Sequence, residues 1–507
     1  MPHVRPIPFA RPARSPRPVR RAGAVLLVTV AAVALTAGSA TPAVAVSPDP
    51  ALVTQLTKVM ADSRVQRASS AAVVLDAGSG AQLYSRWGSR ALIPASNTKV
   101  LTAAAAMETL GPGYRFKTEV FRRAAVVRGA VQGRLYLKGY GDPTTRQSDY
   151  RSLAQQVRAA GITRVTGPLA VDSTSFDAQR YNPGWSTGYA DDYYAAEVSA
   201  LTVAPNADLD AGTVLVNYAP GRPGGQAKIM TTPAAAAQYV RILNQTTTGS
   251  SASSSTFSAR RSHGSNTITV SGRVPLGRQT ASTLVTVHRP ELYAAAVFHA
   301  ELTKVGVTVQ GGTVAMATPS SRTRLARDTS MPLADLLVPF LKLSNNTHAE
   351  ALTKAMAARS GQPGSWKAGL AVTTGYLRRI GVPMTGVSLT DGSGLTRRNT
   401  LTARALASTL HKVRREPWFA AFDRALPVAG DSRRLVGGTL STRMRGTRAA
   451  GNAHAKTGTL TGVTSLSGYV TGRDGRRYVF AMISNHRGPT PRPVENTLVV
   501  TLADWRR

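Results

Sequence analysis

The chain has 507 residues, enough for two to four domains and a large buried core. Its net charge of +36 implies a polyanionic neighbour, and the lack of any cysteine excludes disulfides as well as thiol and Cys–zinc chemistry. The eight histidines are dispersed without H-x-x-x-H or H-E-x-x-H spacing, so neither a metal site nor a cofactor is expected.

Residues 1–45 read as an export signal. Arg5, Arg11, Arg14, Arg17, Arg20 and Arg21 precede an apolar run from Ala22 to Ala37, and Ala43-Val44-Ala45 fits a small-residue cleavage site. The run is too short and alanine-rich for a membrane span. Arg20-Arg21 hints at the twin-arginine route, but the residues after it fit general secretion better. No later stretch is long and apolar enough to span a bilayer, so a soluble extracytoplasmic protein of charge +30 is expected. Export and the absence of an aromatic-interleaved arginine patch argue against nucleic acid as the polyanion. An anionic cell wall fits better, although high-GC codon usage explains part of the arginine excess.

Residues 71–76 predict a buried strand, with its partner beginning at Ala81 across a Gly-Ser-Gly turn. Ser96-Asn97-Thr98-Lys99 then falls in the first turn of a helix that runs to Leu110 and stops at Gly111-Pro112-Gly113. From about 117 to 325 the pattern changes to short alternating runs broken by Gly and Pro. Examples are 126–131, 134–138, 169–172, 213–218, 267–270 and 284–287, which read as β-hairpins. Ser/Thr-rich residues 246–258 read as a flexible loop. So long an interval before the next signature is no single loop and implies an inserted, mostly β region of one or two domains. Helices are expected over 331–343 and 347–358, on either side of Ser344-Asn345-Asn346, and again over 367–380 and 401–414. Strands over 464–470 and 477–483 and a helix over 494–505 close the chain, after Lys456-Thr457-Gly458-Thr459. The outer parts thus form one discontinuous domain with a β-sheet and helices on both faces.

The three signatures read as the S-x-x-K, S-x-N and K-T-G set of penicillin-recognising serine acyl-transferases, and S-x-x-K and K-T-G each occur once. A serine hydroxyl is a poor nucleophile until a neighbour takes its proton. Ser96 and Lys99 are three apart on a helix and so share a face. Lys99 acts as base only when neutral, which burial and the positive helix end both favour. The Ser344 hydroxyl can relay a proton to a leaving amine, and the Asn346 amide can orient either Lys99 or the substrate peptide. On a strand edging the site, Lys456, Thr457 and Thr459 can bind a substrate carboxylate. Gly458 permits close backbone approach, and the N–H groups of Ser96 and Thr459 can form an oxyanion hole.

Gly184-Trp185-Ser186-Thr187-Gly188 matches the nucleophile elbow in letters, but no strand precedes it and no helix follows, so it reads as a loop. Asp391-Gly392-Ser393-Gly394-Leu395 reads as a tight loop at the rim of the site. No histidine stands out as a base with an acidic partner. A β-lactamase would need a residue set for fast deacylation, and no E-x-x-x-N feature occurs at class A spacing. A wall-binding or penicillin-sensing module with a vestigial site would not keep all three signatures intact.

On these motifs the chain resembles the class C low-molecular-mass penicillin-binding proteins, the D-alanyl-D-alanine carboxypeptidase/endopeptidase group with a long insert between the first two signatures. Residues 137–144, 198–201, 344–350, 391–395 and 454–459 carry the likeness. The resemblance implies an α/β (α+β) transpeptidase/β-lactamase-like domain, with an antiparallel sheet and helices on both faces. It assigns residues 46–116 and 326–507 to that domain, 117–210 and 311–325 to an inserted domain, and 211–310 to a second one nested in the first. It implies β-lactam inhibition, peptidoglycan stem peptides as substrate, and Ser96 as the acylated nucleophile with Lys99 as its base. Ser344 and Asn346 would be the relay and orienting pair, and Lys456 a relay and carboxylate partner. In relatives cutting diaminopimelate-type stems, an acidic residue of the insert and an arginine bind the far end of the side chain. Those roles carry over to Asp191 or Asp192 and to Arg397. Ser-Asn-Asn stands where Ser-Asp-Asn is commoner, and Glu197 where relatives often have proline.

Overall fold

The computed structural model describes residues 48–506, apart from 360 and 362; the expected export signal lies outside them. Five strands make the sheet that carries the signatures, and both ends of the chain contribute. Their order is His454–Leu460, Val463–Thr471, Arg477–Asn485, Ser69–Asp76 and Gln82–Arg86, each neighbouring pair antiparallel. Strand Ser69–Asp76 is buried on both sides from Ser70 onward, which explains its unbroken apolar run. Alternate residues still sort by face. Ala71 and Val73 join Val479, Ala481 and Ile483 against helices Thr98–Leu110, Leu333–Lys342 and Ala403–Val413. Ala72 and Val74 join Tyr478, Phe480 and Met482 against helices Pro50–Met60 and Arg492–Asp504.

The region between these halves holds more helix than expected. A five-stranded sheet runs Thr313–Ala315, Leu169–Asp172, Leu135–Gly139, Lys117–Arg122 and Thr323–Thr329. Leu135–Gly139 and Leu169–Asp172 pair in parallel, not as a hairpin. Parallel neighbours need a crossover, and helix Gln147–Ala159 provides it. Its buried Tyr150, Leu153, Ala154 and Val157 follow the helical three-to-four spacing, and the Asp149 carboxylate accepts the Arg146 N–H at 2.7 Å to close its first turn. A second helix, Pro290–Lys304, packs on the first, with Tyr150 and Phe298 ring centroids 6.3 Å apart. Further in, Arg241–Gly249 also pairs in parallel with Thr267–Pro275. The loop expected over 246–258 is shorter, because strands Arg241–Gly249 and Ser258–Arg261 take up its ends. We propose the nested division of the insert with helix Pro290–Lys304 assigned to the outer inserted domain, since it packs there.

Candidate active site

Ser96 lies in a tight 3-10 turn, Ala95–Asn97, that leads directly into helix Thr98–Leu110. Asn97, at the helix entry, does not cap it. Its amide donates to Ser465 Oγ at 2.6 Å and accepts from Ser467, so the helix start is tied to the sheet instead. Ala95 takes a left-handed φ of 49°, a strained value for a residue with a Cβ. The carbonyl of Ala95 packs against Gly394 so closely that a Cβ on Gly394 would lie 1.9 Å from it.

Lys99 is fully buried, and three groups surround its Nζ: Ser96 Oγ at 2.9 Å, Asn346 Oδ1 at 2.6 Å and the Ser393 carbonyl at 2.8 Å. The Asn346 amide nitrogen donates to the Tyr194 carbonyl at 2.7 Å, which fixes its oxygen toward Lys99. Two of the three groups are therefore obligate acceptors. A neutral amine has two N–H bonds for them and one lone pair left, aimed at the only partner that can donate, the Ser96 hydroxyl. Burial drives Lys99 down to about 7, against the opposing pull of Asp391 and Glu350.

Behind the Ser393 carbonyl stands a buried acidic pair that sequence reasoning missed. Glu350 accepts the backbone N–H groups of Gly392 at 2.9 Å and Ser393 at 2.8 Å and the Trp366 indole N–H at 2.8 Å. Asp391 accepts from Gly394 N at 2.7 Å, Thr396 N at 2.8 Å and the Trp185 indole at 2.9 Å. Burial, then the neighbouring Asp391, pushes Glu350 up to about 7. Glu350 was legible only as part of the 344–350 stretch; nothing in its spacing pointed to the 391–395 loop. Trp185 belongs to the G-x-S-x-G match, which is a loop as expected, with Ser186 capping a short 3-10 turn.

Ser344, in the link between helices Leu333–Lys342 and Asn346–Ala358, also takes a left-handed φ of 60°. Its Oγ accepts from Lys456 Nζ at 2.8 Å. Asn345 turns away, capping the second helix through His348 N at 3.1 Å, so Asn serves there as Asp would. Lys456 lies on the edge strand of the sheet, fully buried, with its second bond to the Thr457 carbonyl at 2.8 Å. Burial, and then the nearby Lys99, lowers it well below the ordinary lysine range. Thr457 Oγ1 donates to Thr439 at 2.8 Å. Gly458 presses on the Ser96 turn: a Cβ there would sit 2.2 Å from Ser465 Oγ and 2.7 Å from the Pro94 carbonyl.

Ser96, Ser344, Asn346 and Thr459 line one cavity of about 310 Å³, with Tyr189, Tyr194 and Thr461 on its walls. Asp192 accepts the Tyr194 O–H at 2.6 Å, and Arg260 approaches both aspartates, Asp191 at 3.3 Å and Asp192 at 3.8 Å. Arg397 donates to the Thr461 carbonyl at 2.6 Å. Asp192 and Arg397 are thus each one residue removed from the cavity wall. Glu197 accepts from His288 Nδ1 at 2.7 Å and Arg289 N at 3.0 Å, tying its loop to the inner insert.

The profile of the D-Ala-D-Ala carboxypeptidase 3 (S13) family matches residues 52–505. The chain belongs to this family. It is, by that membership, a serine-type D-Ala-D-Ala carboxypeptidase of the class C group that the motifs resemble. It is 40% identical over 495 residues to the D-alanyl-D-alanine carboxypeptidase of Actinomadura sp. (strain R39), covering 96% of this chain and 91% of that one. The crystal structure of penicillin-binding protein 4 from Haemophilus influenzae shares the fold, with a TM-score of 0.75, 24% identity, and 89% of this chain and 99% of that one covered. The same protein complexed with a β-lactam gives a TM-score of 0.70 at 25% identity, covering 89% and 98%.

Proposed function

We propose that Ser96 is the acylated nucleophile of a D-Ala-D-Ala carboxypeptidase acting on peptidoglycan stem peptides. The observation that carries this reading is the Lys99 amine, desolvated and aimed by Asn346 and Ser393 at the Ser96 hydroxyl. Neutral Lys99 takes the Ser96 proton as Oγ attacks the penultimate D-Ala carbonyl carbon. The N–H groups of Ser96 and Thr459 hold the oxyanion. When the C–N bond breaks, the departing D-Ala amine takes a proton from Ser344, which recovers one from Lys456. Lys99 passes its proton through Ser344 to Lys456 and, neutral again, takes one from the water that attacks the Ser96 ester, returning it to Ser96 Oγ as the acid leaves. The substrate's terminal carboxylate, seated by Thr457 and Thr459, restores charge to Lys456 by attraction.

Asp192 and Arg397 are the groups we assign to the far end of a diamino acid side chain; Asp192 is preferred to Asp191 for its hydrogen bond to the wall residue Tyr194, although Arg260 lies near both carboxylates. A stem peptide with a second chain attached there would be cut by the same steps as an endopeptidase substrate. β-Lactams acylate Ser96 as substrate mimics, a reading supported by the β-lactam complex of the Haemophilus protein. Among the described residues no helix is long and apolar enough to cross a membrane, in keeping with an exported enzyme held at an anionic wall.

The test is intact mass after mixing with benzylpenicillin, together with D-Ala release from a D-Ala-D-Ala peptide. One penicilloyl adduct mapping to Ser96, and loss of both activities in Ser96→Ala, are expected. Retained peptide cleavage by Ser96→Ala would sink the assignment.

A further inference from the structure

A second built cavity lies on the outer face of the five-stranded sheet of the insert. Strand Lys117–Arg122 turns Val120 into the core and leaves Lys117, Glu119 and Phe121 on the opposite face. In its partner Thr323–Thr329, Arg324 and Arg327 are an odd number apart and would face opposite sides of an unbroken strand. A β-bulge between Arg324 and Ala326 cancels that. Both arginines now meet Glu119 Oε1, at 3.3 Å and 2.6 Å, and Tyr140 donates its O–H to the same carboxylate at 2.9 Å.

The result is a cavity of about 400 Å³ in which Glu119 is the single acid among five cations, the others being Arg115, Lys117 and Arg322. Glu119 is consumed by its three partners. Arg115, Lys117 and Arg322 have no ion pair among the described residues. The Arg322 guanidinium lies over the Phe121 ring, 4.8 Å from its centroid, and donates one N–H to the Pro319 carbonyl at 2.9 Å; both contacts hold it in place without neutralising its charge. Tyr114 and Tyr140 also line a neighbouring cavity of about 430 Å³ that carries Arg359 and Lys138, the latter paired with Asp172 at 2.8 Å. None of these residues lines the cavity at Ser96.

We propose that this cationic, aromatic-walled groove is a binding site for an anionic glycan polymer. Its phosphodiester or carboxylate oxyanions would meet Arg322, Lys117 and Arg324, and its sugar rings would lie on the tyrosines. Arginine forks match either oxyanion, and two neighbouring cavities that share Tyr114 and Tyr140 suit a chain better than a single ion. The groove would dock the enzyme on the wall independently of the reaction at Ser96.

The test is titration calorimetry of the full-length mature protein with two probes, a glycan of phosphodiester-linked hexoses and a polymer of glucuronic acid, at low and high salt. The variant Lys117→Ala/Arg322→Ala/Arg324→Ala is compared with Arg90→Ala/Arg128→Ala/Arg278→Ala, which removes the same charge from exposed positions elsewhere. Expected is a loss of affinity of about tenfold or more in the groove variant only, since each charge-assisted contact is individually strong. D-Ala release from a small soluble peptide should be unchanged in both variants, whichever polymer binds. The stronger probe tells which oxyanion the groove prefers. Equal weakening by both variants would reduce the effect to net charge and overturn the proposal, as would no weakening by either.

Discussion

Replacing Gly458 with alanine should damage acylation far more than folding. The added Cβ falls 2.2 Å from Ser465 Oγ and 2.7 Å from the Pro94 carbonyl, both below any ordinary contact. Ser465 cannot simply rotate away, because its hydroxyl donates to Pro94 O at 2.6 Å and accepts from Asn97 at 2.6 Å. Relief has to come from the edge strand and the Ser96 turn moving apart by about 1 Å. That distance separates the two N–H groups proposed for the oxyanion hole, and a shift of ~1 Å at reacting groups costs about a hundredfold in rate. Overpacking costs about 1–3 kcal/mol of stability, a fall of roughly 1–3 °C in melting temperature when about 460 residues unfold together. The double variant Gly458→Ala/Ser465→Ala removes the shorter contact and keeps the one with Pro94 O. It should regain part of the stability and little of the rate. The assay is the rate of penicilloyl adduct formation by time-resolved intact mass, with thermal unfolding alongside. Acylation by Gly458→Ala within about threefold of the parent, at unchanged melting temperature, would show that the strand does not set the hole, since threefold is under 1 kcal/mol of barrier.

Burial places Lys99 near 7, so acylation should fall as pH drops through about 7 and protonation removes the base; a pH–rate profile flat from pH 8 to 5 would exclude Lys99. Glu350→Gln should lower the melting temperature, because one amide cannot accept all three N–H groups that the carboxylate takes, each lost partner costing about 1–3 kcal/mol. The same change removes a carboxylate whose attraction raises Lys99, so the acid limb should move to lower pH; a limb moving upward would contradict that electrostatic role. Ser344→Ala should keep slow penicillin acylation but cut peptide turnover about 10²–10³-fold through loss of the relay, read as D-Ala release. Asp192→Asn and Arg397→Ala should each lower kcat/KM for peptides ending their side chain in an amino acid group, while leaving turnover of side-chain-acetylated peptides near the parent's; equal losses on both would remove these residues from recognition.

Much of the catalytic half was legible before any fold was known. Ser96 and Lys99 share a helix face by spacing alone. The strands expected over 71–76 and 477–483 and the helices flanking Ser344 declare themselves in apolar runs and periods, because these patterns depend only on neighbours along the chain. The inserted helices Gln147–Ala159 and Pro290–Lys304 were hidden among short alternating runs and glycines, although the first carries a clear helical stripe. Parallel pairing, as between Leu135–Gly139 and Leu169–Asp172, leaves no turn to read. What makes Lys99 a base is a matter of contacts far apart in sequence: Asn346 oriented by Tyr194, and the Ser393 carbonyl held by Glu350. The preference for Asp192 over Asp191 likewise rests on the Tyr194 hydroxyl, since Arg260 lies near both carboxylates. Residue type and local spacing determine which chemistry is possible. Desolvation and the direction of a lone pair arise only when distant segments close around the same atom.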